Sequence, residues 1–124
     1  MATVFTNVGK AYAANKMANG NNSAVANFIG WGTGAGTAAI TDTTLFTEAA
    51  EARVAGTQAR VTTTVTNDTY ETVGTLTSLS GQTITNAGYF DAATVGNLIV
   101  KADHTGIPLL TNDSIKYTFD LKFQ

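Results

Sequence analysis

Near its C-terminus the chain carries Ile115, Tyr117, Phe119, Leu121 and Phe123 in strict alternation with Lys116, Thr118, Asp120 and Lys122. A period of two puts the apolar side chains on one face and the polar ones on the other, the pattern of a half-buried β-strand and not of a helix. Burying the five apolar side chains would contribute roughly 1.5 to 3 kcal/mol each, before ordering entropy is subtracted. Such a segment is predicted to be paired in a sheet and covered by a second apolar layer.

The same period recurs at Val61, Thr63 and Val65 against Thr62, Thr64 and Thr66. Threonine suits this pattern, because its branched Cβ fits the pleat and its hydroxyl tolerates water. Asn67 and Asp68 read as a turn, and Tyr70 to Leu79 as a returning strand, so a β-hairpin is predicted there, closed by Ser80 and Gly81. Gln82 to Phe90 and Asn97 to Asp103 are two further predicted strands about a turn at Asp91 to Gly96, and Gly106 and Pro108 are expected to break the chain again.

Toward the N-terminus, Val8, Ala11, Tyr12 and Asn15 recur at helical spacing after Thr6 and Asn7, either of which suits a cap. A helix over Val8 to Ala18 is predicted, stopping in Asn19 to Ser23, and Ala24 to Ile29 is predicted as a short strand running into Gly30, Gly32, Gly34 and Gly36. No long helical pattern separates the strands, which argues against a parallel sheet. The expected fold is mostly β: an antiparallel, jelly-roll-like β-sandwich with a short N-terminal helix. One domain is expected over residues 1–124, with 1–23 as arm, helix and loop and 24–124 as the sandwich.

At 44% hydrophobic and 13% charged residues, the 124-residue chain is unusually poor in surface charge, so part of its surface is expected to be covered by other protein. A net charge of -2 gives no footprint for a phosphate backbone, so nucleic acid is not an expected partner. No apolar run approaches the roughly 20 residues that cross a bilayer, no secretory pattern opens the chain, and a soluble protein with no membrane partner is expected. The absence of cysteine removes disulfides and thiolate chemistry. The sequons at Asn21, Asn67 and Asn112 then read as turn residues.

The glycine run matches neither G-x-G-x-x-G nor G-x-x-x-x-G-K-[ST], so close backbone packing is the preferred reading over a nucleotide site. His104, the only histidine, lacks the companions of a transition-metal site. The acidic pairs Asp68 with Glu71 and Glu48 with Glu51 read as turn and edge residues, not as a glycosidase pair. A calcium site from Asp91, Asn97, Asp103 or Asp113 has no spaced motif behind it. Neither G-x-S-x-G nor a serine–histidine relay is present, so no catalytic, cofactor or metal residue is expected and an enzyme is not the favoured class. Trp31, Tyr70 and Tyr89 are the aromatics a sugar would stack on.

The segments F-T-N-V-G-K (Phe5 to Lys10), F-I-G-W-G-T-G (Phe28 to Gly34), T-D-T-T-L-F-T-E (Thr41 to Glu48) followed by Arg53, I-T-N-A-G-Y-F-D-A (Ile84 to Ala92) and N-L-I-V-K-A-D (Asn97 to Asp103) lead into the alternating terminal strand. In that order they resemble small structural proteins of tailed bacteriophages, including capsid decoration or cement proteins and tail-fibre modules. Asn86 departs from the pattern, standing where an acidic residue is common before the A-G turn. The resemblance implies a β-sandwich made in the host cytoplasm and bound to the outer capsid surface of the virion. It further implies the major capsid protein as partner, contacts between capsomers stabilised, and a homo-oligomer, trimer or dimer.

Cement is favoured over a tail-fibre or receptor-binding, glycan-binding module because the sequence holds no repeat or coiled-coil stem. The expected contact residues are the apolar ones outside the alternating strands: Val4, Phe5, Val8 and Tyr12 in the N-terminal segment, and Phe28, Trp31, Gly32 and Gly34 at the glycine loop. Self-association is also expected, because the predicted strand over Val61 to Thr66 carries no lysine or proline guard.

Overall fold

A computed structural model describes residues 2–19 and 25–123. The elements are β1 (Thr3–Phe5), α1 (Asn7–Asn19), β2 (Phe28–Gly32), β3 (Val54–Ala55), β4 (Thr57–Val61), β5 (Thr69–Thr77), β6 (Gln82–Phe90), β7 (Leu98–Leu109) and β8 (Ser114–Lys122). They form two antiparallel sheets, one in the order β1-β7-β6-β2-β3 and the other β4-β5-β8. Neighbours β4–β5 and β6–β7 stay within one sheet, and the chain crosses between sheets at β3–β4, β5–β6 and β7–β8. The predicted antiparallel sandwich with its short N-terminal helix is what the structure shows.

The core lies between the facing sheets, where alternation on each strand delivers Ile29, Trp31, Ile84, Ala87, Tyr89 and Ile99 from the larger sheet and Leu76 and Phe119 from the smaller. Tyr89 ties the layers together, its ring 5.5 Å from Phe119 in an edge-on contact and 6.0 Å from Tyr70. The terminal strand pairs with β5 along its whole length, Ser114 opposite Thr77 and Lys122 opposite Thr69. Its apolar face turns inward as the alternation required.

Helix α1 docks on a face that shares Val8 and Tyr12 with the one its spacing suggested but is rotated away from Ala11 and Asn15. Ala11 and Asn15 are exposed, whereas Gly9 is buried and Val8, Tyr12, Ala13 and Lys16 are half-buried. Gly9 sets this phase, because a Cβ there would lie 2.4 Å from the Ile99 carbonyl oxygen and only glycine lets the helix sit against β7. Thr6 fixes the start as the cap: its hydroxyl accepts from the Gly9 N–H at 2.8 Å and donates to the Leu98 carbonyl at 2.6 Å. Residues 20–24 of the expected loop and strand, with the sequon at Asn21, lie outside the described residues.

Three further expectations are corrected. Of the strand predicted over Val61 to Thr66, Val61 ends β4 and Thr62 to Thr66 form a loop, so the hairpin partner of β5 is β4 (Thr57–Val61). The Asp68 carboxylate accepts from the N–H groups of Thr63, Thr64 and Val65 and from the hydroxyls of Thr63 and Thr69, and this local network overrides the strand preference of the threonines. Those bonds, the one from Val65 first, hold the Asp68 carboxyl well below the usual range. The unguarded edge at Val61 to Thr66 therefore does not exist.

Strand β7 runs through Gly106 and Pro108, which were expected to break it. Pro108 pairs with Thr83 of β6, and the N-terminal segment covers β7 only as far as Asp103, so beyond it β7 has, among the described residues, an open edge where a missing N–H costs no ladder bond. The glycine segment begins inside a strand: Phe28–Gly32 lies between β6 and β3. Asn67 and Asn112 do adopt the turn conformation expected of them, with φ of 59° and 72°.

Candidate functional site

The larger sheet has five strands and the smaller three, so the two layers do not match strand for strand. An apolar groove of about 430 Å³ results, with Phe5, Tyr12, Met17, Ile99, Leu121 and Phe123 among the side chains around it. The Tyr70 hydroxyl, also lining it, donates to the Ala26 carbonyl at 2.6 Å. Burial, first, and the neighbouring Tyr12 push the Tyr70 hydroxyl up to about 12. Tyr89 lies deepest, 1% exposed and, among the described residues, with no hydrogen-bond partner for its hydroxyl. At the rim Met17, Val25 and Phe123 are 81%, 44% and 51% exposed.

The eight expected contact residues do not gather in one place. Phe5 and Tyr12 line the groove, and Val4 and Val8 are half-buried on β1 and α1. Deleting residues 2–12 would remove β1 and half of α1, so this segment is part of the fold and not a detachable arm. Trp31 and Gly32 are withdrawn as contacts. The indole is 1% exposed in the core, and neither it nor Tyr89 offers a face to a sugar. Phe28 packs on Leu45, Phe90 and Leu98, and Gly34 lies under the chain at Phe46.

Glycines 30, 32 and 34 have the close-packing role that their spacing suggested. They make a flat track on which residues 44–48 lie: Gly34 N–H donates to the Phe46 carbonyl at 2.9 Å and Thr33 N–H to the Thr47 carbonyl at 3.0 Å. Asn86 completes the seat, accepting from Phe46 N–H and donating to its carbonyl, both at 3.0 Å. An acidic residue has no donor for the second bond, which accounts for asparagine here. The Lys101 ammonium, buried beneath, is 2.9 Å from Asp42, 2.8 Å from the Thr44 carbonyl oxygen and 3.2 Å from the centre of the Phe46 ring.

The remaining polar candidates are occupied separately. Glu48 takes a two-pronged bond from Arg53. Glu51 accepts from Trp31 Nε1 at 2.9 Å, Leu79 N–H at 3.0 Å and Gln82 at 2.8 Å. Asp91 binds Asn97, Asp103 binds the Ala38 and Ala2 amides, and Asp113 binds the Leu110 amide, so the four calcium candidates do not converge. His104 sits between the Thr105 carbonyl and the Tyr117 hydroxyl, each at 2.9 Å. Among the described residues no three metal-ligating side chains cluster, and no helix is long and apolar enough to cross a membrane.

Glu51 holds the only tryptophan of the chain in place, and this permits a direct test. Glu51→Ala is expected to lower stability by about 2 kcal/mol, because it leaves a buried indole N–H unsatisfied. Burial pushes the Glu51 carboxyl up, but the bonds from Leu79, Gln82 and Trp31 outweigh it and hold the carboxyl below its ordinary value. Its contribution is thus complete above the unfolded pKa and is lost as pH falls through the lower folded one. Denaturation followed by Trp31 fluorescence at neutral and acid pH checks both statements; equal midpoints for variant and wild type at pH 7 would refute them.

Compared with known proteins, the chain matches no family model, no curated protein and no solved structure. Sequence reasoning missed Met17, Val25, Leu121 and Phe123 as groove residues. Met17 shares a helix face with Tyr12, Ala13 and Lys16, a signal that was available; which strand ends meet that face depends on the crossings between sheets.

Proposed function

We propose that this protein is a structural component of a tailed-phage particle, a decoration or cement protein that binds the outer capsid shell and braces neighbouring capsomers. The observation that carries the proposal is the rim of Met17, Val25 and Phe123 around an apolar groove, on a chain with 13% charged residues. Large side chains exposed together beside a concave apolar surface mark a protein contact more than a solvated face. The quoted motifs, which resemble capsid decoration proteins, supply the occupant: an apolar side chain or short segment of the major capsid protein. Phe5 and Tyr12 keep their contact role in this reading, joined by Met17 and Phe123.

The test combines Met17→Glu with Phe123→Glu, two exposed positions whose change leaves the core intact. Co-sedimentation with capsids is expected to weaken at least about tenfold, as for loss of a central contact, while Trp31 emission stays unchanged. Undiminished binding would remove the groove from the proposal. Mass spectrometry of particles, showing copies on the scale of the main shell protein, is the expected companion result; a handful of copies per particle would point to the tail.

A further inference from the structure

The smaller sheet ends on β8, a strand of nine residues with Thr118 at its midpoint and, among the described residues, no neighbour on its second edge. Long regular edges are templates for pairing, and lysines on them act as guards. Here the guard depends on register. If two copies align β8 antiparallel with Thr118 on the two-fold axis, the strands overlap completely. Lys116 then faces Asp120 of the second copy, twice by symmetry, while Ser114 faces Lys122, Ile115 faces Leu121 and Tyr117 faces Phe119.

Other registers fail for stated reasons. Centring on Lys116 opposes two lysines, centring on Asp120 opposes two aspartates, and centring on Phe119 sets Lys116 against Lys122. Centring on Tyr117 brings no opposite charges together, and centring on Leu121 leaves most of β8 unpaired. A shift by an odd residue sets polar side chains against apolar ones. The sequence of this edge is thus self-complementary in one full-length alignment.

A second observation points to the same partner. Asp120 lies directly across from Glu71 of β5, a like-charge pair that disfavours the isolated sheet. Asp120 pushes the Glu71 carboxyl up, first through a side-chain hydrogen bond and then, after burial, through its charge. Among the described residues neither carboxylate has an ion pair within the chain: Lys116 lies opposite Thr75, and Lys122 reaches the Thr64 hydroxyl at 2.6 Å. The aligned second copy brings its own Lys116 to this face.

We infer that the protein forms a two-fold dimer by pairing β8 with β8 of a second copy about Thr118, joining two three-stranded sheets into one of six strands. This deepens the self-association expected above and needs no capsid. Because the chain has no cysteine, Thr118→Cys introduces a single thiol. Opposed residues in an antiparallel pair have Cα atoms roughly 4.5–5.5 Å apart, within disulfide reach. Thr75→Cys, on the same face of β5 opposite Lys116, is the control.

At about 10 µM under mild oxidation, Thr118→Cys is expected to become a linked dimer and Thr75→Cys to remain unlinked. Sedimentation should show a wild-type dimer whose dissociation constant rises at least about tenfold in Lys116→Glu and is recovered when Asp120→Lys is added. Trp31 emission reports that each variant is folded. A wild type monomeric at about 100 µM, cross-linking of Thr118→Cys no faster than the control, or no recovery in the charge swap overturns the inference. Capsid binding is measured separately, so a monomer that binds shells refutes only the dimer, and a dimer that ignores them refutes only the shell reading.

Discussion

Replacing Asp42 with alanine is expected to cost about 3 to 5 kcal/mol of stability, a fall in Tm of roughly 10 to 20 °C. The Lys101 side chain is fully buried, and among the described residues Asp42 is the only carboxylate on its ammonium. Removing it leaves the charge with the Thr44 carbonyl and the Phe46 ring. Because the Asp42 side chain is 22% exposed, water can reach the gap and the loss should fall at the lower end of that range. Lys101→Met, which keeps most of the stem and abandons the charge, is expected to cost about 1 to 2 kcal/mol, since the freed carboxylate can hydrate. Burial pushes the Asp42 carboxyl up, but the Ala39 N–H and Lys101 outweigh it, leaving it below its ordinary value. The contribution is therefore complete above the unfolded value of about 3.9 and disappears as pH falls through the lower folded one. Urea melts at neutral and acid pH check both the ordering and the sign; an Asp42→Ala midpoint at or above that of Lys101→Met at pH 7 would be the wrong order.

The sheet architecture was legible where side chains alternate because one face is buried. Residues 115–121 announced β8, and Tyr70 to Leu79 and Gln82 to Phe90 announced β5 and β6, because burial in a two-layer sandwich imposes the period of two directly. The reading failed where alternation had another cause. Val61 to Thr66 alternates, but Asp68, counted as a turn residue, gathers the amides of Thr63, Thr64 and Val65 and holds a loop. The groove was half legible. Phe5 and Tyr12 stand out as apolar residues beyond the strands, but Phe123 reaches them only because β8 occupies the edge of a sheet two strands narrower than its partner. The sequence placed Lys101 in a predicted strand without marking it out, and only the return of residues 42–46 over β7 makes it a buried anchor. Trp31 was misplaced for a related reason: its glycine neighbours suggested a close-packed loop for the shell or a neighbouring copy to lie against, whereas another stretch of this chain lies on them.

Gly32 ties these features together, and its substitution by valine is expected to cost about 3 kcal/mol, at the upper end for overpacking a close contact. A Cβ there would stand 2.4 Å from the Phe46 carbonyl oxygen, 3.0 Å from that of Thr47 and 2.9 Å from Asn86 Nδ2. Two of the three are backbone atoms, so residues 46–47 must lift from the sheet. Lifting loosens the two bonds of Asn86 to Phe46 and moves the Phe46 ring off Lys101. The glycine track and the buried ion pair thus hold one segment by two attachments, and damage to either releases part of what the other secures. Gly32→Ala, with an expected cost of about 2 kcal/mol, allows the coupling to be measured. Combined with Asp42→Ala it should cost less than the sum of the two single changes by about 1 kcal/mol, because the segment cannot be released twice. Ala35→Val, at an exposed position beside the track, should stay within about 0.5 kcal/mol of wild type. Strict additivity in the Gly32 and Asp42 cycle would mean that the two attachments act on independent parts of the molecule.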